Sequence, residues 1–256
     1  MHNKFELQIN KESHLSKRRN RASAQLAIDN TIKFDNYVPQ QKQRTVNLIP
    51  KSINQEKYID ILLDEKKLIV FATGPAGTGK TMLAVLAAIK AYKEGECSKI
   101  VITRPAVGVD DEKHGFLPGD LNAKMEPWTR PIMDIMQEYY RPAEIAKMLD
   151  EQIIEISPLA FMRGRTFKNS WIIADEMQNA TPAQAKMLMT RIGTNSKIVI
   201  TGDVEQADRN SGDNGLMDLV ERLRSSPVNG ITVCPMENRD VQRHKIIGDV
   251  LKLYSD

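Results

Sequence analysis

Gly74-Pro75-Ala76-Gly77-Thr78-Gly79-Lys80-Thr81 constrains this chain more than any other stretch. It has the spacing G-x-x-x-x-G-K-[ST], follows the apolar run LIVFATG and leads into an Ala/Leu-rich segment. Glycines at those positions let backbone N–H groups curl around phosphate oxygens, and a helix starting at Lys80 adds the partial positive charge of its N-terminus. Lys80 then reaches the β and γ phosphates, and the Thr81 hydroxyl can bind Mg2+. A Gly-rich turn that merely joins a strand to a helix leaves the full pattern unexplained. The expected ligands are ATP and Mg2+, with residues 74–81 as the nucleotide-binding loop.

Strand-like and helix-like segments alternate around that loop. LIVFATG, KIVITRP, QIIEISP, WIIADE, KIVITGD and GITVCP are short Val/Ile-rich runs suited to buried parallel strands. SINQEKYIDILLDE has Ser52 as N-cap and apolar Ile53, Ile59, Leu62 and Leu63, which predicts a helix. Further helices are predicted over 80–93, 128–149 with a break at Pro142, 182–192, 214–224 and 240–254. The expected fold is α/β, a parallel sheet with helices on both faces. A chain of 256 residues can bury one sizeable core. The domain is expected over residues 51–256, after an extension of residues 1–50.

Charge singles out that extension. Residues 1–50 hold nine Lys or Arg against four Asp or Glu, a net +5, while the remaining 206 hold 27 against 29, a net −2. With few apolar positions and a basic run at Lys17-Arg18-Arg19-Asn20-Arg21, it reads as a flexible basic arm: a solubilising tail or a contact to nucleic acid phosphates. No apolar run approaches the length needed to cross a bilayer, and the polar start is no signal peptide. The two cysteines, Cys97 and Cys234, are too few for a disulfide framework. A reducing cytoplasm and no membrane are expected.

WIIADEMQNA, residues 171–180, stops abruptly on two adjacent carboxylates, which repel each other unless something positive lies close by. A Mg2+ held by Thr81 and phosphates needs a carboxylate from the C-terminal end of another strand, and Asp175 is placed for that. Glu176, one residue on, suits the base that orients and deprotonates the attacking water. KIVITGDVEQAD ends a third strand, and Gln206 there can hydrogen-bond both γ-phosphate and water, as a sensor of nucleotide state, or else be a solvated loop residue.

The phosphate loop, TRPAVG, GFLPGDLNAKMEPWTRPIMD, FMRGRTFKNSWIIADEMQNATPAQAKMLMTRIG, KIVITGDVEQAD and DVQRHKII together resemble the PhoH family of P-loop ATPases over roughly residues 52–254. The resemblance implies a single RecA-like core related to the first motor domain of superfamily 1 helicases. In that relation Gln55 resembles the adenine-reading glutamine. Arg104 and FMRGRTF, with Arg163 and Arg165, resemble positions that grip single-stranded nucleic acid. Arg163 and Arg165 are alternatively loop charges or contacts to a neighbouring subunit.

No second motor domain follows the motifs, so a lone core is expected to find its partner in another subunit, as a homo-oligomeric ring, hexameric in the family. Arg243, in a segment resembling the family's Arg-His motif, is the expected cation completing a neighbour's site, with Arg239 in reserve. Arg243 can instead pair with Asp240 or grip its own subunit's nucleotide.

The favoured function is a Mg-dependent ATPase, helicase-like, acting on RNA or single-stranded DNA. The alternative is an ATP-dependent regulatory switch with a protein partner. A small-molecule kinase fits less well, since Glu176 favours attack by water. Among other features, His114 reads as a loop residue, Met133, Met136, Met187 and Met189 as core, and Trp128, Tyr139 and Tyr140 as buried at helix interfaces rather than stacked on bases.

Overall fold

A computed structural model describes residues 45–105, 121–204 and 214–242, with backbone alone over 121–127. Helix α1, Ile53–Leu63, begins where the Ser52 hydroxyl accepts the Gln55 N–H at 3.2 Å. Tyr58, Ile59 and Leu62 turn inward, whereas Ile53 and Leu63, expected on that face, are exposed.

All six apolar runs form strands of one sheet: β1 Ile69–Thr73, β2 Lys99–Thr103, β3 Ile154–Ile156, β4 Ser170–Ala174, β5 Lys197–Gly202 and β6 Ile231–Pro235. Their order is β3-β2-β4-β5-β1-β6, and every pairing is parallel. The strands are apolar on both faces because both are covered. Along β1, Val70 and Ala72 join one core cluster, while Ile69 and Phe71 join the other.

The first cluster takes in α1, α2 (Lys80–Lys93), α3 (Leu121–Gln137) and α4 (Pro142–Asp150). The second takes in α5 (Pro182–Met189) and α6 (Gly215–Ser225). Helices therefore lie on both faces of the parallel sheet, as expected.

Several boundaries differ from expectation. The segment 128–149 is broken before Pro142 into two helices, as expected, but α3 already begins at Leu121, so Pro127 and Pro131 lie inside it. Pro142 opens α4 as its first residue, where its missing N–H costs nothing, and Glu144 accepts the Arg141 N–H at 2.7 Å. Helix α5 stops at Met189 rather than 192. No helix begins at 240: Asn238–Asp240 is a single 3-10 turn followed by extended Val241, and 243–256 lie outside the described residues. At the other end Val46 is core and Leu48 packs against it, so the domain reaches back past the expected boundary at residue 50. Residues 1–44, which carry most of the expected basic arm, lie outside the described residues.

The strand order matters for chemistry. β5 lies between β1, which carries the phosphate loop, and β4, which carries the acidic pair. Its C-terminal end therefore opens between the two, at the edge where parallel α/β sheets hold ligands.

Candidate nucleotide-binding site

Two glycines fix the phosphate loop. Gly74 has φ +129°, and a Cβ there would stand 2.2 Å from the Met236 carbonyl oxygen, so no other residue fits. Gly79, at φ +84°, turns the chain into the N-terminus of α2. The Gly74 N–H donates to Gly202 O at 3.2 Å, tying the loop to β5. Within the loop, Lys80 Nζ donates to Gly74 O at 2.5 Å and Pro75 O at 2.7 Å, and the Thr78 hydroxyl donates to Pro75 O at 2.9 Å. The ammonium is thereby held over the loop that would surround a phosphate.

Gln55 braces this loop from α1. Its Nε2 donates to Thr78 O at 3.0 Å, and its Oε1 accepts the Lys51 N–H at 2.8 Å. The amide thus flanks the loop and holds backbone on both sides.

Across the cavity from Lys80 stand Asp175 and Glu176. Asp175 Oδ1 accepts from two hydroxyls, Thr81 at 2.8 Å and Thr201 at 2.6 Å. Glu176 has φ 54° and ψ 38°, a left-handed conformation rare for a side-chain-bearing residue. Gln178 Nε2 donates to its Oε2 at 2.5 Å, and Arg104 Nη2 stands 4.0 Å from its Oε1. Of the positive groups that the acidic pair implied, Arg104 stands beside Glu176 and Lys80 lines the same cavity.

The donor set suits Mg2+. A hydroxyl and a carboxylate are hard oxygen ligands, and they meet at the mouth of the loop. Among the described residues no group of three or more His, Cys, Asp or Glu gathers as an all-protein metal cage. Phosphate oxygens and water would complete the shell, the usual habit of Mg2+ at nucleotides.

The three arginines expected on nucleic acid make different contacts among the described residues. Arg104 donates to Trp128 O at 3.4 Å and so joins the cavity to α3. Arg163 is exposed. Arg165 forms a two-point ion pair with Glu155 in the middle of β3, with Nη2 to Oε2 at 2.9 Å, and its guanidinium lies 4.5 Å from the Phe167 ring centroid. Burial pushes the Glu155 carboxyl upward, but Arg165 and Lys99 outweigh it and hold it below its ordinary value. Arg165 is thus paired with its own sheet, as the local-charge alternative would have it.

Gln206, Arg243 and His114 lie outside the described residues. The residue before Arg243 is informative: Gln242 N–H donates to Gly77 O of the same chain's phosphate loop at 2.9 Å. Asp240 anchors this segment, accepting from Asn54 Nδ2 at 2.8 Å and from the Glu237 N–H at 2.7 Å. Burial raises its carboxyl, but hydrogen bonds from Ser52, Asn54 and Glu237 prevail and lower it. Asp240 is thus engaged with α1.

Other residues fall mainly as expected. Met136 is fully buried, and Met133, Met187 and Met189 pack at the core margins. Tyr139 and Tyr140 pack under Lys93, 5.8 and 5.1 Å from its ammonium, while Trp128 is 38% exposed rather than buried. Cys97 and Cys234 are free thiols, and burial pushes both up to about 11, away from reactivity.

Thr201, Gln178 and Gln242 were given no role from sequence, and Asp240 was named only as a possible partner of Arg243. Thr201 had a legible signal, a hydroxyl at the C-terminal end of a Val/Ile-rich strand. Gln178 had one too, a buried-type polar residue two positions past the acidic pair.

Comparison with known proteins agrees with this geometry. The family described as PhoH, PhoH-like protein, matches residues 47–255. The PhoH-like protein of Bacillus subtilis (strain 168) is 42% identical over 205 residues, 80% of this chain and 63% of that protein. The Synechocystis PhoH-like protein is 40% identical over 204 residues, 80% and 61% respectively. Protein PhoH of Escherichia coli (strain K12) is 40% identical over 170 residues, 65% and 48%. The chain thus spans about three fifths or less of these relatives' lengths. Among solved structures, the Sulfolobus solfataricus SWI2/SNF2 ATPase core in complex with dsDNA overlaps at TM-score 0.43 and 13% identity, over 77% of this chain and 47% of that one. The Pif1 helicase from Candida albicans overlaps at 0.38 and 14%, over 80% and 44%. With a complete phosphate loop facing an Asp-Glu strand end, and sequence identity running across most of its length, the chain belongs to the PhoH family of P-loop NTPases.

Proposed function

We propose that this protein is a Mg-dependent ATP hydrolase whose helicase-like core acts on RNA or single-stranded DNA as a homo-oligomeric, hexameric ring in the cytoplasm. The observation that carries the reading is the convergence of Lys80, Thr81, Asp175 and Glu176 on one cavity. Lys80 contacts the β and γ phosphates. Glu176 orients the attacking water and takes its proton. Asp175, held by Thr81 and Thr201, fixes the acidic end of the site. Mg2+, when bound, offsets charge on the phosphates and on the two carboxylates. Gln206 follows the β5 exit at Asp203, which lines the same cavity, and reads the γ-phosphate. No helix among the described residues is long and apolar enough to cross a membrane.

Arg104 supports a nucleic acid role, since it stands between Glu176 and the partly exposed Trp128. For Arg243, the Gln242 contact to Gly77 supports a grip on its own subunit's nucleotide over completion of a neighbour's site. Mixing Arg243→Ala with Glu176→Gln separates the two roles. Recovered activity in mixtures that exchange subunits means the arginine acts on its neighbour, and no recovery means it acts at home.

The test of the proposal is ATP turnover with and without RNA and single-stranded DNA, alongside light scattering for mass. Mg-dependent turnover stimulated by nucleic acid, from a species of about six chains, is the expected result. Turnover indifferent to both nucleic acids would favour the regulatory switch, and no turnover at all would overturn the enzymatic reading.

A further inference from the structure

We propose that Gln178 is a positioning residue for hydrolysis: its single amide locks the Glu176 carboxylate to the exit of β5. The inference rests on the ATPase reading above and deepens it.

Gln178 lies in the 3-10 turn Met177–Asn179 that follows β4, with its side chain almost wholly buried. Its two ends are used differently. Nε2 donates to Glu176 Oε2 at 2.5 Å, and Oε1 accepts the Asp203 N–H at 3.1 Å. A planar amide cannot turn one end without turning the other, so the candidate base and the backbone at the end of β5 form one rigid unit. The amide is neutral and holds the carboxylate without cancelling the charge that a base needs. An Arg or Lys in its place would form an ion pair and weaken the base.

The surroundings are shaped around this amide. A Cβ on Gly202 would stand 2.7 Å from Gln178 Oε1 and 3.2 Å from its backbone nitrogen, so a glycine at the strand end leaves the amide its room. Glu176 itself is left-handed, a backbone state that persists only where neighbours over-determine it. Two contacts do so here: the Gln178 amide on its side chain, and the Asn179 N–H donating to its carbonyl at 3.1 Å. Among the described residues the carboxylate's other partner is Arg104, whose 4.0 Å is too long for a hydrogen bond.

Gly202 and Asp203 also line the nucleotide cavity. A change in the β5 exit is therefore passed to Glu176 through Gln178, while Gln178 itself does not line the cavity. That makes it a positioning residue, and its effect is expected in kcat rather than in nucleotide affinity.

The experiment is a double-mutant cycle on the full chain, with ATP affinity, turnover and thermal unfolding measured for each protein. Gln178→Leu is expected to bind ATP within about threefold of wild type and to lose roughly 10- to 100-fold in turnover, part of what a positioned base contributes. Glu176→Gln should then cost far less on the Gln178→Leu background than on wild type, because the base is already displaced. Gln178→Glu keeps the shape, tests the idea if Gln178→Leu does not fold, and sets a second carboxylate against Glu176. The acid limb of its kcat–pH profile should move upward. Wild-type turnover in Gln178→Leu, an undiminished Glu176→Gln penalty on that background, or an unmoved limb in Gln178→Glu would each overturn the inference. If wild type shows no ATP hydrolysis, the ATPase reading itself fails; if Glu176→Gln turns over like wild type, the base assignment fails and this inference with it, and both results differ from an unaffected Gln178→Leu beside an impaired Glu176→Gln.

Discussion

The Thr81 hydroxyl donates to Asp175 Oδ1 at 2.8 Å, joining the first turn of α2 to the end of β4 across 94 positions of sequence. The contact exists because β5 separates the two parent strands by one strand width and contributes Thr201, a second donor to the same oxygen. Asp175→Asn keeps the shape and removes the charge. It should lower turnover by about 10²-fold or more and raise the Mg2+ concentration needed for half-maximal rate. Thr81→Ser should keep most activity, and Thr81→Val should not. A Mg2+ titration of turnover checks all three.

Lys80 should matter for binding first. Its ammonium is held over the loop by Gly74 O and Pro75 O, ready for phosphate oxygens. Charge-assisted hydrogen bonds contribute about 1.5–3 kcal/mol each, so Lys80→Ala should raise the Kd for ATP by roughly 10- to 100-fold. Equilibrium titration with a fluorescent ATP analogue measures it, and unchanged affinity would contradict the placement.

Gly74→Ala should destabilise the fold. A backbone held at φ +129° costs a side-chain-bearing residue roughly 1–3 kcal/mol before its Cβ meets the Met236 carbonyl at 2.2 Å. Thermal unfolding reads the loss. A variant as stable as wild type would mean that β6 does not close on the loop.

Much of this site was legible because its residues answer to backbone geometry and charge at fixed spacing. The loop 74–81 fits one task, and a Val/Ile-rich run ending in Asp175-Glu176 names its own partner. The inner strands β1, β2, β4 and β5 were legible because both faces are buried, so each reads as a nearly continuous apolar run. Helix α3 was harder, since Pro127 and Pro131 argue against a helix that packing and position nonetheless form. Arg165 was not legible at all: its partner Glu155 belongs to an edge strand, and nothing in FMRGRTF shows which carboxylate it meets. Gln178 needed the turn after Glu176, whose left-handed backbone brings the amide round to the carboxylate.

Arg163 and Arg165 should separate experimentally. Arg163 is exposed, so Arg163→Ala should lower affinity for RNA and flatten its salt dependence by about one unit of slope. Arg165→Ala breaks the pair with Glu155 and leaves that carboxylate to Lys99 alone, so its main effect should be on stability. Equal losses of RNA affinity from both would contradict this division.

Lys197 gives a pH signature. Its ammonium donates to the Leu62 and Asp64 carbonyls at the end of α1 and lies 5.1 Å from the Trp171 ring centroid. Burial pushes the amine down to about 8, against the weaker opposing pull of Asp64, Glu96 and Glu65. Between about pH 8 and the unfolded value of 10.5, the unfolded chain keeps a proton that the native state has shed, so this residue makes stability rise with pH there. The thiols Cys97 and Cys234, raised from 9.0 to about 11, act in the opposite sense above pH 9. Urea unfolding of wild type against Lys197→Met from pH 7.5 to 10 isolates the lysine, and identical pH slopes would contradict its shift.

The central claim is that Glu176 is the base of an ATP-hydrolysing site, and single-turnover hydrolysis by Glu176→Gln tests it most directly. With Mg2+ present and equal amounts of ATP bound, the variant should cleave at least about 10²-fold more slowly than wild type, since an amide cannot take the proton from water. Cleavage at the wild-type rate with ATP fully bound would contradict the claim.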